Sequence, residues 1–518
     1  MSLLYLNENE KTTDLYSDSY KDLAIEELVH SISTNDTEYS QMKKILTVIP
    51  TDPNTILYRQ SILQDFMENE VLRTKLLHIV KKLNVLSDLN YTTRFGEQKS
   101  SVWQMINQLK DIELYAEVVE EIDTIFEENP PKSEGLSEIA QKIHGIMEGE
   151  EIHRLKQDLK RMRTELSDTK ALTLGVNLTP DLMPKEVYLL EFRQQPHKEP
   201  INKVIEFVRV IKQLPAHELP SHLMMALTQE VEKHLSGIAR DMRKTLKKYM
   251  NLDSYFLKEL RDEILYYVRL ATFGCKLQEK GYPICYPKIV KNTNDIHIKE
   301  AYNIRLALKD EPNIVTNDFD FLAKERIFIL TGPNRGGKTV LTQGVGLIAY
   351  MAALGMFVCA TSYEGFCIKQ IFTHFPADEN QTISYGRLGE EAVRIQNIVR
   401  QADASSLILL NETYSSTCAS DGLYLAKDLL HILKEKGVRV IYNTHIHELA
   451  FATEEMNKWE GTSDIISTIM EIIDNKNTFR MLRSKPDICS YAKNLAIKYG
   501  VTYEQMKGEE DEREKEVS

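Results

Sequence analysis

The chain has 518 residues, enough for about three folded units on a prior of roughly 150 residues each. With 42% hydrophobic and 27% charged residues, and only 22 Gly and 16 Pro, its composition is that of a soluble globular protein and argues against a linker-rich or disordered chain. The formal charge of −13 repels polyanions overall, so any nucleic-acid contact has to come from local basic faces.

The six cysteines, Cys275, Cys285, Cys359, Cys367, Cys418 and Cys489, contain no C-x-x-C pair and no His/Cys ligand spacing. Zinc and a disulfide framework are therefore not expected, and a reducing cytoplasm fits. The opening MSLLYLNENE puts acidic residues where a signal peptide needs a positive start, so export is not expected. The uncharged stretch from Gly344 to Ala360 is short for a membrane span. It reads as a buried helix followed by a buried strand, and no membrane association is expected.

In chain order, residues 1–40 are polar with short apolar clusters. Helix-period Leu and Ile then run from Tyr39 to Leu86 around Asp52-Pro53-Asn54, a turn and helix start. A second helical block, Val102 to Glu128, ends at the breaker Asn129-Pro130-Pro131-Lys132-Ser133, and a third, Leu136 to Lys170, is long and densely charged. Two β-prone runs within Ala171 to Phe192 predict a small hairpin. Helical spacing returns from about Ala216 to Lys280, as one lever-like helix or two stacked ones, and Gly281-Tyr282-Pro283 closes this half.

Beyond Tyr286, short apolar runs alternate with helical stretches. Arg326–Leu330, Met356–Ala360, Leu407–Leu410 and Val438–Tyr442 read as strands of a mostly parallel α/β sheet. The predicted division is a mainly helical domain over 1–280, an α/β P-loop domain over 281–508 and a charged tail over 509–518.

Gly332-Pro333-Asn334-Arg335-Gly336-Gly337-Lys338-Thr339 fits G-x-x-x-x-G-K-[ST] between an apolar run and a helix, the context that motif requires. The glycines let backbone N–H groups wrap phosphates, Lys338 brings a charge to the β- and γ-phosphates of ATP, and the Thr339 hydroxyl suits Mg²⁺. Leu407–Leu410 ends in Asn411-Glu412 where a P-loop ATPase has Asp-Glu. Asn411 keeps the acceptor for a metal-bound water but loses the charge, and Glu412 is placed to orient or deprotonate an attacking water, so that Thr339, Asn411 and Glu412 are the expected Mg²⁺ set. Val438–Tyr442 opens into Asn443-Thr444-His445, where His445 would sense the γ-phosphate. His447 and Glu448 follow, but without the H-E-x-x-H spacing or a third ligand zinc is not expected.

Taken together, Thr331–Thr339, Glu412 with Thr417-Cys418-Ala419-Ser420-Asp421-Gly422, and Thr444-His445 with Glu448-Leu449 resemble the ATPase domain of the MutS DNA mismatch-repair family. The likeness runs from about Ile296 to Val501, with Ser490-Tyr491-Ala492, Ala496 and Gly500-Val501 resembling its last helix. Thr47 to Lys280 resembles its helical core and lever more loosely. The resemblance implies an ABC-type fold and a two-fold dimer whose ATP sites are completed in trans, here by Ser384 within Asp378–Ser384 and by Asp421. Ser384-Tyr385-Gly386 stands where the family has Ser-Thr-Phe. The chain begins almost at the core, so it reads as a short form without mismatch-reading and connector domains. Phe66-Met67-Glu68 spells the family's Phe-x-Glu motif, yet lies in a helix-period run where Phe66 reads as core.

For DNA, Lys156, Lys160 and Arg163 fall at i, i+4, i+7, and Arg240, Arg243, Lys244, Lys247 and Lys248 form a second basic face. Such faces neutralise phosphates without reading sequence. The leading expectation is a cytoplasmic, nucleoid-associated dimeric ATPase engaging mismatched, branched or distorted DNA. The alternatives are an ATP-operated clamp on a protein or ribonucleoprotein, or a nucleotide-binding scaffold with little turnover.

Overall fold

The computed structural model describes residues 2–7, 10–85, 102–167, 171–178, 180, 184–193, 195, 236–249, 254–376, 387–474, 476–486, 500–503 and 505–506. The chain opens with strand β1 (Thr12–Asp14), helices α1 (Ser17–Asp22), α2 (Ile25–Ile32) and α3 (Asp36–Leu46), strand β2 (Val48–Pro50) and helix α4 (Pro53–Glu68). Asp52 caps the start of α4, its Oδ1 accepting from the Asn54 N–H at 2.9 Å, and Pro53 takes the first helical position, where its missing donor is harmless. Phe66 lies fully buried in α4, stacked on Tyr267 at 5.8 Å between ring centroids, in the core role expected for it.

Next come helices α5 (Glu70–Leu83), α6 (Val102–Glu128), α7 (Glu134–Glu148) and α8 (Glu150–Ser167), the hairpin β3 (Ala171–Leu178) and β4 (Pro184–Arg193), and helices α9 (Ser236–Leu246) and α10 (Ser254–Glu279). The third helical block is thus two helices, broken at Gly149, whose backbone is extended. The antiparallel hairpin pairs Val176 with Val187, with register shifts on either side. Of the stretch expected to be helical from Ala216, residues 216–235 lie outside the described residues.

The remaining elements are strands β5 (Lys288–Ile289) and β6 (Ile296–Ala301), helix α11 (Ile304–Leu308), strands β7 (Asn317–Phe321) and β8 (Glu325–Thr331), helix α12 (Lys338–Ala353), strands β9 (Ser362–Gly365) and β10 (Gln370–His374), helix α13 (Arg387–Gln401), strand β11 (Ser406–Asn411), helix α14 (Ala419–Lys436), strand β12 (Arg439–Asn443), helices α15 (His447–Phe451) and α16 (Thr453–Met456), and strands β13 (Asp464–Ile473) and β14 (Lys476–Leu482). The order β10-β11-β12-β8-β13-β14 makes a six-stranded sheet, parallel except for β14. A second sheet has the order β5-β9-β6-β7.

β8, β11 and β12 sit inside the large sheet and are apolar on both faces, as parallel strands covered on both sides require. Met356–Ala360, expected as a strand, forms only one isolated bridge, between Val358 and Cys285. The segment is apolar because it is buried, not because it belongs to a ladder. The parallel strand that flanks β11 is instead β10.

By internal contacts the chain divides into one unit of residues 1–68 and 266–518 and another of residues 69–265. The expected division is 1–280, 281–508 and 509–518, the last of which lies outside the described residues. The difference arises because the N-terminal segment adds to the sheet-bearing unit: Ser19 Oγ donates to the Ile371 carbonyl at 2.8 Å and Thr373 Oγ1 to Asp22 Oδ2 at 2.7 Å, both on β10.

Candidate functional site: a glycine-rich loop beside the ends of three buried strands

β8 ends at Thr331 and the chain turns through Gly332 to Gly337 before α12 begins at Lys338. The turn needs positive φ at Gly332 (149°), Arg335 (62°) and Gly337 (93°). A Cβ on Gly332 would lie 2.9 Å from Met470 Cβ, so that glycine is required for space as well as conformation. The loop is strapped to the β13–β14 hairpin, where Asn477 Nδ2 donates to the Arg335 carbonyl at 3.2 Å.

Lys338 is buried at the helix start. Its Nζ donates to the carbonyls of Gly332 at 3.0 Å and Pro333 at 3.4 Å. Burial pulls its pKa below the ordinary lysine value, and the Glu412 carboxylate opposes that pull. Glu412 Oε1 lies 4.0 Å from Lys338 Nζ and 3.0 Å from His445 Nε2, which in turn is 3.4 Å from Lys338 Nζ. Lys338, at the start of α12, thus meets two groups that follow the ends of β11 and β12, because β8, β12 and β11 are neighbours in register: Asn411 pairs with Asn443, and Asn443 with Leu330.

Beneath this triangle runs a chain of uncharged groups. Thr339 Oγ1 donates to Asn411 Oδ1 at 3.1 Å, Asn443 Nδ2 donates to the same oxygen at 3.0 Å, and Thr342 Oγ1 donates to Asn443 Oδ1 at 2.9 Å. Asn411 is therefore oriented with its oxygen toward Thr339. Asn443 and Thr342 fall outside the motif and were missed. Their only sequence signal is an Asn at a strand end and a Thr one helical turn beyond Thr339.

The loop, Glu412 and His445 line a cavity of about 460 Å³, within the range of small-molecule sites. Its far side is made by Tyr302, Leu306, Ile314, Val315 and Phe479, an apolar surface that can accept a planar base. Phe479, at φ 59°, is held by its own carbonyl accepting from Asn317 Nδ2 at 3.0 Å. Asn303 Nδ2 donates to the Val340 carbonyl at 2.9 Å and fixes this wall to α12. None of these residues carries a motif.

Comparison with known proteins bears on this geometry directly. The model of MutS domain V matches residues 328–502, and that of the MutS2 N-terminal domain matches residues 51–280. The chain belongs to the MutS family. It is 29% identical over 238 residues to the DNA mismatch repair protein MutS of Chlorobium phaeobacteroides, covering 45% of this chain and 27% of that protein. It is 33% identical over 178 residues to the DNA mismatch repair protein msh-2 of Neurospora crassa, covering 33% and 19%. It is 30% identical over 217 residues to the Endonuclease MutS2 of Caldicellulosiruptor saccharolyticus, covering 41% and 27%. The chain thus spans about a quarter of the length of the curated relatives it matches.

Within this MutS-family chain, Asp421 lies exposed in the first turn of α14 and does not line the cavity. Ser384, with the rest of Asp378–Gly386, and Ser490–Ala496 lie outside the described residues. His447 is half-buried, with its pKa lowered chiefly by burial, and does not line the cavity either. In the helical unit, Lys156 pairs with Glu120 at 2.8 Å and Arg163 forks onto Glu113, both glutamates on α6, while Lys160 is exposed. Lys248 pairs with Asp158 at 3.2 Å, and the side chains of Arg240, Arg243, Lys244 and Lys247 are exposed along α9 and the turn after it. Among the described residues no helix is long and apolar enough to cross a membrane.

Proposed function

We propose that this chain is an ATP hydrolase of the MutS type with an ABC-type P-loop fold, acting as a homodimeric clamp on mismatched, branched or distorted DNA. The observation that carries the reading is the triangle of Lys338, Glu412 and His445 at the mouth of the Gly332–Thr339 loop, with Glu412 Oε1 3.0 Å from His445 and 4.0 Å from Lys338. ATP lies with its phosphates in the loop and its base against Phe479 and Ile314. Lys338 neutralises the terminal phosphates, Glu412 orients the attacking water and takes its proton, and His445 holds the Glu412 carboxylate and senses the γ-phosphate. Thr339 and Asn411 offer uncharged oxygens 3.1 Å apart, a set that suits Mg²⁺, a hard cation that takes few protein ligands beside phosphate oxygens. Bound there, the ion would offset phosphate charge, and the neutral Asn411 would hold it without the anionic attraction an Asp supplies. Ser384 and Asp421 complete the partner's site. The exposed cations Arg240, Arg243, Lys244 and Lys247 carry the DNA contact, which makes it dependent on salt and DNA shape rather than on sequence.

The test is steady-state ATP hydrolysis by wild type and Glu412→Gln, without DNA and with matched, mismatched and branched duplexes at low salt. Turnover changed by one DNA form and abolished in the variant supports the reading. Turnover indifferent to every DNA overturns its DNA half and favours a clamp on a protein or ribonucleoprotein. That second reading draws on the net charge of −13 and on the carboxylate partners of Lys156, Arg163 and Lys248.

A further inference from the structure

Glu412 and Tyr414 both have positive φ, at 54° and 64°, with Thr413 between them. Two left-handed, non-glycine residues so close together are costly, and such backbone persists only where its surroundings over-determine it. The restraints converge on Thr413. Its hydroxyl is 3.0 Å from His374 Nδ1, and its carbonyl accepts from the Tyr442 hydroxyl at 2.9 Å. On either side, the Glu412 N–H donates to the Asn443 carbonyl at 3.0 Å and the Ser415 N–H to the Glu412 carbonyl at 3.1 Å. Thr413, His374 and Tyr442 are all essentially buried, so these bonds form away from competing water. His374 is the last residue of β10, the edge strand beside β11, and its register partner is Leu410. It therefore reaches across one strand end to the residue that follows Glu412, and it does not line the cavity.

We propose that His374, through Thr413, is the positioning residue that fixes the direction of the Glu412 carboxylate in the hydrolytic step. The inference rests on the ATPase reading above and extends it to a residue outside every motif of that reading. Neither His374 nor Thr413 touches the reacting atoms. Their role is to hold the strained turn so that Glu412 meets His445 and the loop. Neutral imidazole suffices for this, because one ring nitrogen exchanges one hydrogen bond with one hydroxyl.

The test uses the full chain and compares His374→Leu, His374→Asn and Thr413→Val with wild type and Glu412→Gln, measuring kcat, KM and the Kd of a fluorescent ATP analogue. His374→Leu and Thr413→Val should each lower kcat about ten- to hundredfold, since small misplacement of a catalytic group costs that much. Kd and KM should stay within about twofold, as expected when only a transition-state interaction is lost. The double variant should be no slower than the worse single one, because both remove the same bond. His374→Asn, whose amide can still reach the hydroxyl, should recover most of the rate. Equal losses in His374→Leu and His374→Asn would assign the effect to packing and overturn the proposal. So would a multiplicative double variant, or a His374→Leu rate equal to wild type when Glu412→Gln is dead. A wild type that binds nucleotide without turnover overturns the ATPase reading itself, and the positioning role with it.

Discussion

The cavity of the sheet-bearing unit and the helices of the other unit use charge in different ways. In the sheet-bearing unit, Lys338, Glu412 and His445 converge on one cavity, and a buried layer of uncharged groups orients what lies above it. In the helical unit, charges meet in pairs across helices: Lys82 with Glu117 and Glu121 at 2.7 and 2.5 Å, Lys156 with Glu120, Arg163 with Glu113. The first arrangement leaves polar groups facing a hollow, and the second spends them on helix packing. A basic residue is therefore weak grounds for a binding site until its carboxylate neighbours are known, whereas groups that line one cavity are strong grounds.

The sharpest challenge to that contrast is Glu412→Gln. If the convergence is catalytic, turnover falls by about 10²–10⁴-fold, the range for removing a general base, while nucleotide binding persists. Single-turnover hydrolysis with a radiolabelled γ-phosphate measures both. A variant that keeps its rate would reduce the triangle to an ion pair like those of the helical unit.

His374, bonded to Thr413 behind Glu412, gives the next largest effect, read through stability. Burial, assisted by the nearby Arg394 guanidinium, holds its pKa down at about 4 against an ordinary 6.5. Between those values the unfolded chain binds the extra proton, so the contribution is whole above pH 6.5 and is lost as pH falls toward 4. From pH 7 to pH 5 wild type should lose about 2 kcal/mol that His374→Asn does not lose. Urea denaturation of both proteins at the two pH values checks it, and parallel pH dependences would refute it.

Asn411→Asp follows. Restoring the carboxylate beside Thr339 should tighten Mg²⁺ use about tenfold, the worth of one charge-assisted contact, seen as a lower Mg²⁺ concentration at half-maximal turnover. Asn443 Nδ2 can still donate to the new carboxylate, so the layer beneath survives.

Much of this site was legible because its chemistry is contiguous or ends an apolar run. Gly332–Thr339 is encoded by spacing, and Asn411-Glu412 and His445 are marked by the hydrophobic strands that deliver them. The cavity's far wall was not legible, since Tyr302, Leu306, Ile314 and Phe479 come from separate segments joined only by folding. Nor was β10. Its burial rests on Asp22 and Ser19, some 350 residues away in sequence, while Met356–Ala360 mimicked a strand because buried chain of any shape is apolar. The helical unit was legible as helices from their period, but the partners of its charges were not, because period gives a face and not the helix opposite it.

The smallest expected effects lie in that unit and decide between its two basic faces. Lys156→Ala and Arg163→Ala remove charges already matched by Glu120 and Glu113. Each should cost about 0.2–1 kcal/mol of stability, as exposed pairs do, and leave duplex affinity unchanged. Lys244→Ala and Lys247→Ala, whose side chains are exposed on α9 and the turn that follows, should do the reverse. Stability should hold, while the slope of log affinity against log salt falls by about 0.9 for each phosphate contact removed. Fluorescence anisotropy with a labelled duplex at several salt concentrations reads the slope, and thermal unfolding reads the stability. If all four substitutions leave the slope alone, the helical unit holds no DNA through these faces, and the clamp's target is of another chemistry. If Lys156→Ala lowers the slope as much as Lys247→Ala, the Glu120 pair opens on binding, and a static carboxylate partner no longer tells a structural charge from a functional one.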